Sequence, residues 1–545
     1  MFLIHLNGVP KSTPYHLRNG FINFLLEGDN LHSLRLLEKT HTGRIDVIYI
    51  DPPYNTENKD FIYDDAFVDK NDGFRHSKWL SFMNERLQIA KRLLSSSGVL
   101  IISIGYHEVH NLMVMCQEMF ENKQITCVTV QTSGGKPNGG FTFLQEYLVF
   151  ITPTDFNPKT MSFTGGIERS PFEGLTLSTF DKTTRPNQTY PIFIDRETMH
   201  IIGVGKSLTE RIAEGLYTGK PTDFVFDYDE APDGAAALWP VSSKGADCVW
   251  RLISPRLLSD WAKGYIKISK NKSKNNPNEY SVQYLPEGVI KKIESGELPV
   301  IGTEENMPTL KFGKNQTVGS EIPTIWTEKE FFTTKGSSHV RNIFEDKRFP
   351  YPKPLEFITE ILRATTNANS TILDFFAGSG TTGESVLELN LSDGGNRTFI
   401  LCTNNQNDIC SHITYPRLKT IISGIRENGS TYSEGIPANL KYYRTDFVSK
   451  DSDSLTDELL DHIKEMIQLE HGIKLDGSQY IMVLTDEEAD ALEQHWDEYK
   501  DVKALYVSRN VLFTTEQNML FGDVDIHIIP DDYFKFELQE VGEAW

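Results

Sequence analysis

Two short stretches of this 545-residue chain hold residue types that could do chemistry at a fixed spacing. The first, Asp51-Pro52-Pro53-Tyr54, follows the β-branched run Arg44 to Ile50, a predicted strand that the prolines end. A carboxylate beside a proline-fixed carbonyl offers two acceptors at a rigid spacing, and neither proline carries an amide hydrogen. Two acceptors suit an amino group with two hydrogens. Tyr54 could lie flat over a planar heterocycle, where stacking is worth about 1 to 3 kcal/mol per base. The set is a grip for an exocyclic amine on a base, and the plain alternative is a strand-ending turn with a solvent-facing tyrosine. The second stretch, Asp374-Phe375-Phe376-Ala377-Gly378-Ser379-Gly380-Thr381-Thr382, passes from strand through turn to helix. Gly378 and Gly380 permit close backbone approach, and the helix start beyond them offers free amides. It does not make a dinucleotide fingerprint. The third glycine falls at Gly383, and the next strand ends in Thr403, Asn404 and Asn405 where an acidic residue is usual. Gly203-Val204-Gly205-Lys206-Ser207 imitates a phosphate loop, but His200 stands where that pattern needs glycine. A helix start with Ser207 near the cap is expected instead.

The elements that must position these turns alternate along the chain. After the Asp51 turn, helical spacing runs from about Ser77 to Ser95, followed by the strand VLIISIG. A helix over about Glu108 to Phe120 then leads to the strand ITCVTVQ. The second turn sits between the strand TILDF and the helix ESVLEL, with the strand FILCT after it. This alternation predicts an α/β fold built on a doubly wound, mostly parallel sheet. Between about 155 and 330 Gly, Pro, Thr and Asn interrupt short apolar stretches, which marks an inserted domain. The expected division is 1–154 and 331–440 for the two parts of the α/β domain, 155–330 for the insertion, and 441–545 for a small acidic α/β domain. That last region includes a helix over about Asp457 to Glu470.

A net charge of −22 argues against a protein that coats nucleic acid. The charge is uneven, since residues 441–545 hold 9 Lys+Arg against 25 Asp+Glu. Lys263, Lys267, Lys270, Lys272 and Lys274 fall in twelve residues without an acid, beside Tyr265 and ahead of Asn271, Asn275 and Asn276. They form either a solvated loop or a loop that contacts phosphates, with Asn side chains as base readers. The five cysteines are widely spaced without a C-x-x-C pair, so reduced, mostly buried thiols and no metal centre are expected. His107 and His110 fit a helix surface. No run of 18 apolar residues occurs, and His5, Asn7 and Pro10 interrupt the start, so neither a membrane span nor a signal peptide is expected and a cytoplasmic address is the default.

The two turns together resemble the amino-methyltransferases of DNA that depend on S-adenosylmethionine. Their order, with Asp51 well ahead of Asp374 and an irregular region between, is similar to the β-class N6-adenine enzymes. EGDN at Glu27 to Asn30, RIDVIYIDPPYNT, GVLIISI, FPYPKP at Phe349 to Pro354 and LDFFAGSGTTGESVLELN resemble the modification subunit of type III restriction-modification systems. The resemblance implies a Rossmann-like methyltransferase that takes its methyl from S-adenosylmethionine and flips its target base out of double-stranded DNA. It implies that Asp51 and the Pro52 carbonyl hold the adenine N6 amine, with Pro53 in the same turn and Tyr54 stacked on the base. Asp29, Asn30, Lys353 and the turn from Asp374 through Phe375, Phe376, Ala377, Gly378, Ser379 and Gly380 to Thr381 are implied to surround the cofactor. Thr403 and Asn404 depart from the acidic residue that commonly holds its ribose. The inserted domain would recognise the target, with the five lysines as DNA contacts. The C-terminal domain would dimerise or dock a restriction subunit. An N4-cytosine enzyme and a non-catalytic specificity subunit are the competing readings; Asp rather than Ser at position 51 favours adenine.

Overall fold

A computed structural model describes residues 2–4, 21–56, 62–63, 66–67, 72–138, 140–159, 161–162, 171–296, 298, 300–312, 321–449 and 453–543. The reading of residues 5–20 as lacking a signal peptide lies outside them. By compactness the chain divides into 1–164 with 321–545, and 165–320.

The first unit is organised by one ten-stranded sheet. In chain order its strands are β1 (Phe2–Ile4), β2 (Ile22–Glu27), β3 (Ile45–Ile50), β4 (Leu94–Ile104), β5 (Gln124–Asn138), β6 (Phe141–Thr152), β7 (Ile325–Trp326), β8 (Thr371–Asp374), β9 (Thr398–Thr403) and β10 (Asn439–Asp446). Across the sheet they lie β1-β10-β2-β9-β8-β3-β4-β6-β5-β7. From β10 to β4 every neighbour is parallel, and β6 pairs antiparallel with both β4 and β5. The predicted doubly wound, mostly parallel sheet is therefore present.

The central parallel strands β2, β3, β8 and β9 are mostly apolar because both faces are covered. Side chains alternate between two cores: Ile48 and Ile50 enter one, Val47 and Tyr49 the other. Helices α1 (Asn30–His41), α2 (Arg75–Leu93) and α3 (Val109–Met119) cover the first face through Leu34, Leu37, Trp79, Met83, Leu87, Leu112 and Cys116. On the second, α4 (Thr333–Phe344), α5 (Leu355–Thr365), α6 (Thr381–Asp393) and α7 (Tyr415–Ser423) bring Ile343, Phe357, Ile361, Val386, Leu418 and Ile421. Full burial of each such side chain contributes about 1.5 to 3 kcal/mol. What this fixes for chemistry is adjacency. Val47 pairs with Ile372 and Ile48 with Leu373, so β3 and β8 release their two turns side by side on the carboxyl edge of the sheet, where open α/β folds place ligands.

A boundary at 441 does not match the fold. It cuts β10, which pairs with β2 over Ile22–Glu27, and the chain beyond continues into the first core through Leu455, Ile463, Met466, Ile467, Tyr533, Phe534 and Leu538. The shift in charge marks a change of surface rather than the end of a folded unit. The helix expected over Asp457 to Glu470 is two, Leu455–Leu460 and Ile463–His471, separated by Asp461 and His462. Beyond them Tyr480–Val483, Ala504–Ser508 and Asp525–Ile529 form a parallel three-stranded sheet, the α/β pattern read there from sequence.

Among its described residues the unit 165–320 holds small antiparallel sheets and the short α-helices Leu208–Ala213, Ser254–Ala262 and Glu287–Glu294. Ser207 caps the first of these in a reciprocal box with Glu210, so the imitation phosphate loop is a helix start. Four cysteines are buried and Cys127 is half-buried. Among the described residues no group of His, Cys, Asp and Glu has the makings of a metal site, and no helix is long and apolar enough to cross a membrane.

Candidate active site

The Asp51 turn is held from beneath. The Trp79 indole on α2 donates to the Pro53 carbonyl at 2.7 Å. Asn55, with φ +52°, closes the turn, and its amide donates to the buried Glu108 carboxylate at 2.5 Å. His76 and Asn111 meet the same carboxylate at 2.6 and 2.7 Å. The Tyr54 ring lies against Gly105 at the end of β4, where a Cβ would stand 2.9 Å from its Cδ2. Only glycine permits that approach.

Above this turn four charged or phenolic groups converge. The Lys353 ammonium donates to the Tyr54 hydroxyl at 2.5 Å and to Glu146 Oε2 at 2.6 Å, and forms a longer ion pair with Asp51 Oδ1 at 3.3 Å. Tyr54 in turn donates to Glu146 Oε2 at 2.9 Å. Asp51 Oδ1 is thereby buried and accepts no hydrogen bond. Burial pushes the Asp51 carboxyl above its usual range, against the opposing pull of the Lys353 charge. At Glu146 burial acts in the same direction, but the Lys353 charge and its hydrogen bond outweigh it and hold the carboxyl low.

The second turn is equally fixed. Asp374 accepts from the Phe376 amide at 2.9 Å and from the Thr382 hydroxyl at 2.6 Å, tying the end of β8 to the start of α6. Burial nevertheless raises its carboxyl to about 7. Gly378 and Gly380 take φ +51° and +81°, and a Cβ on Gly380 would come within 3.1 Å of Thr414 Cγ2. Arg417 on α7 donates to the Ser379 carbonyl, the Ser379 hydroxyl and the Thr381 hydroxyl at 3.2, 3.0 and 2.8 Å. Its other side meets Glu384 at 2.6 Å. Asn30 links the EGDN segment to this turn, donating to the Phe375 carbonyl at 3.0 Å while accepting from Arg86 at 2.6 Å. Asp29 caps α1 through the Leu31 amide at 2.8 Å and faces Arg86 at 3.5 Å.

The fold thus brings Asp51, Tyr54, Asn30, Lys353 and the Asp374–Thr382 turn to one edge of the sheet. Lys353, expected among the cofactor residues, has a different place: only its carbonyl reaches the second turn, accepting from Thr381 at 3.3 Å, and its ammonium belongs with the first. Thr403 is buried at the end of β9, and Asn404 beside it is exposed. Glu146, Gly105, Arg86 and Arg417 carry no local motif, and the sequence alone does not single them out. The basic segment is not a loop throughout. Ile266–Lys270 is a strand paired with Tyr280–Tyr284, and Lys267 on it is bound to Glu304 at 2.6 Å. Asn271 and Asn276 spend their amides on carbonyls of their own neighbourhood, Asn278 and Val241, which removes them as free base readers. Lys263, Lys270, Lys272 and Lys274 are exposed.

The chain is similar in sequence to known proteins. Over 420 residues the chain is 27% identical to the type III restriction-modification enzyme EcoPI Mod subunit of Escherichia phage P1, covering 69% of this chain and 57% of that one. It is 26% identical over 439 residues to the type II methyltransferase M.KpnI of Klebsiella pneumoniae, covering 77% of this chain and 90% of that protein. The chain thus spans little more than half the length of the phage relative. Among solved structures, a DNA modification methylase of Thermus thermophilus complexed with S-adenosyl-L-methionine aligns over 77% of this chain and 99% of its own, with TM-score 0.32 and 11% identity. The family model described as DNA methylase, of the N6 and N4 type, matches residues 45–410, a span that holds both turns, the sheet edge that joins them and the region inserted between. The chain belongs to that DNA methylase family.

Proposed function

We propose that this protein methylates the N6 amine of adenine in duplex DNA with S-adenosylmethionine as donor, as the modification component of a type III-like restriction-modification system. The observation that carries the reading is the Asp51 carboxylate followed by a proline carbonyl just past the strand that adjoins the glycine turn, with one buried carboxylate oxygen that accepts no hydrogen bond. Buried polar atoms are seldom left unsatisfied, and a carboxylate beside a proline-fixed carbonyl fits an amine with two hydrogens.

Asn30 and the turn from Phe375 to Thr381 are the residues that would hold the cofactor, and the left-handed glycines of that turn leave room for close approach. When bound, S-adenosylmethionine supplies an electrophilic methyl group. The chain's own part is positional and electrostatic. An exocyclic adenine nitrogen is a weak nucleophile because its lone pair is delocalised into the ring. Accepting both N–H bonds at Asp51 and Pro52 favours a pyramidal nitrogen and fixes its direction. The Asp51 carboxylate faces the positive charge that develops there and takes the proton the alkylated nitrogen sheds. Base extrusion costs a few kcal/mol, which stacking on Tyr54 partly offsets. Asp at position 51 supports adenine over cytosine. The Mod relatives, named as subunits of type III restriction-modification enzymes, support a restriction subunit as partner.

Plasmid DNA from methylation-free cells expressing the protein, read by modification-sensitive long-read sequencing, tests the reading. N6-methyladenine at one short motif, absent with Asp51→Ala, is expected. N4-methylcytosine would overturn the choice of base, and no modification would overturn the function.

A further inference from the structure

Two carboxylates and one ammonium meet at the Asp51 turn, and the reaction as derived uses only one of the three. Glu146 is on β6, the antiparallel strand beside β4, and Lys353 precedes α5. Both are largely withdrawn from solvent. An ammonium this close to a buried carboxylate would ordinarily donate to it, since charge-assisted pairs of that kind are short and strong. Here the two short bonds from Lys353 go instead to Glu146 at 2.6 Å and Tyr54 at 2.5 Å, and Asp51 Oδ1 is left with the longer ion pair at 3.3 Å.

We propose that Glu146 is a positioning residue that, with the Tyr54 hydroxyl, draws the Lys353 ammonium out of a short bond to Asp51 and leaves only the longer 3.3 Å ion pair, so that the Asp51 carboxylate keeps acceptor capacity for the substrate amine. The inference rests on the methyltransferase reading above and assigns Glu146 and Lys353 work within it. It also accounts for the charge balance. Asp51 and Glu146 against one lysine leave the cluster at −1, the sign that suits a nitrogen becoming cationic. Without Glu146 the cluster would be a close Lys353–Asp51 pair with no net charge and one carboxylate oxygen fewer for the amine.

The groups that face Asp51 are Lys353, Glu146 and the Tyr54 hydroxyl, with Tyr49 on β3 and Asp374 on β8 further off. Their charges make opposite predictions for two substitutions. Glu146→Gln removes a repulsive charge and releases Lys353 toward Asp51. The acid limb of kcat/KM should move to lower pH while kcat falls by about tenfold or more. Lys353→Met removes the attractive charge, so its acid limb should move to higher pH. In the double variant no ammonium is present to occupy Oδ1, and kcat should recover above that of Glu146→Gln alone. A residue that only supports the fold would give neither the opposed pH shifts nor the recovery. The measurement is single-turnover methyl transfer to duplex DNA containing the target, across pH, with thermal unfolding alongside to confirm that each variant is folded. Wild-type kcat in Glu146→Gln, or a double variant slower than it, would overturn the proposal while leaving the function standing. No transfer by the wild-type protein would overturn both.

Discussion

Asp374 couples the site to stability through a single proton. Its carboxyl is raised from 3.8 to about 7, chiefly by burial, so the folded chain binds that proton more tightly than the unfolded chain does. The stabilisation is therefore complete below about pH 4 and is lost as pH rises through about 7, with a slope of at most ~1.4 kcal/mol per pH unit. Asp374→Asn keeps an acceptor for the Phe376 amide and removes the titration. In thermal unfolding without cofactor it should flatten the decline of Tm between pH 4 and 7, and identical slopes for the two proteins would refute this. Gly105→Ala tests the other turn. Its Cβ would meet the Tyr54 ring at 2.9 Å, and overpacking of that kind costs about 1 to 3 kcal/mol, here relieved largely by Tyr54 leaving its place. Methyl transfer should fall well beyond any loss of Tm. At this scale Asp51 and Tyr54 are legible in the sequence because four consecutive residues hold the whole pattern. Glu146 is not: in FLQEYLVF a lone acid on an alternating strand looks like a solvent-facing position, and only the arrival of Lys353, 207 residues later, shows otherwise.

Helix α6 shows how an element fixes a turn from behind. Its Glu384 and Arg417 of α7 are both essentially removed from solvent and paired at 2.6 Å, with His339 of α4 on the second carboxylate oxygen at 2.7 Å. Breaking one half of a buried pair costs about 3 to 5 kcal/mol, because the other charge is left uncompensated. Arg417→Met should therefore lower the unfolding free energy by that order in urea titration, and should weaken cofactor binding through the Ser379 and Thr381 contacts. Arg417→Met with Glu384→Leu should cost less than the sum of the two single changes, and simple additivity would show that the pair is not coupled. Strands and helices around both turns are readable from periodicity, since parallel strands covered on two faces are apolar throughout. The basic segment reads as loop because its lysines obscure the alternation of Ile266 and Ile268, whose burial is visible only once Tyr280–Tyr284 pairs with them.

Across the whole molecule, charge and core follow different boundaries. The last 105 residues carry most of the net charge of −22, yet Ile463, Met466, Tyr533 and Phe534 from that segment complete the same core as Leu34 and Leu87. Composition alone could not reveal this, because acidic side chains sit on the surface of a segment whose buried residues are ordinary. A strongly acidic surface repels the DNA backbone, so phosphate contacts must come from elsewhere. The exposed Lys263, Lys270, Lys272 and Lys274 form one such group, while Lys267 is neutralised by Glu304. Each lysine that neutralises a phosphate contributes about 0.9 to the slope of log affinity against log salt on duplex DNA. Lys270→Glu with Lys272→Glu should therefore weaken binding of any duplex and reduce the magnitude of that slope by about two, whereas Lys267→Gln should leave the slope unchanged. Titration of labelled duplex at several salt concentrations distinguishes the cases. An unchanged slope in the double variant would move the phosphate contacts off this hairpin, and a reduced slope with Lys267→Gln would mean that the Glu304 pair opens on DNA.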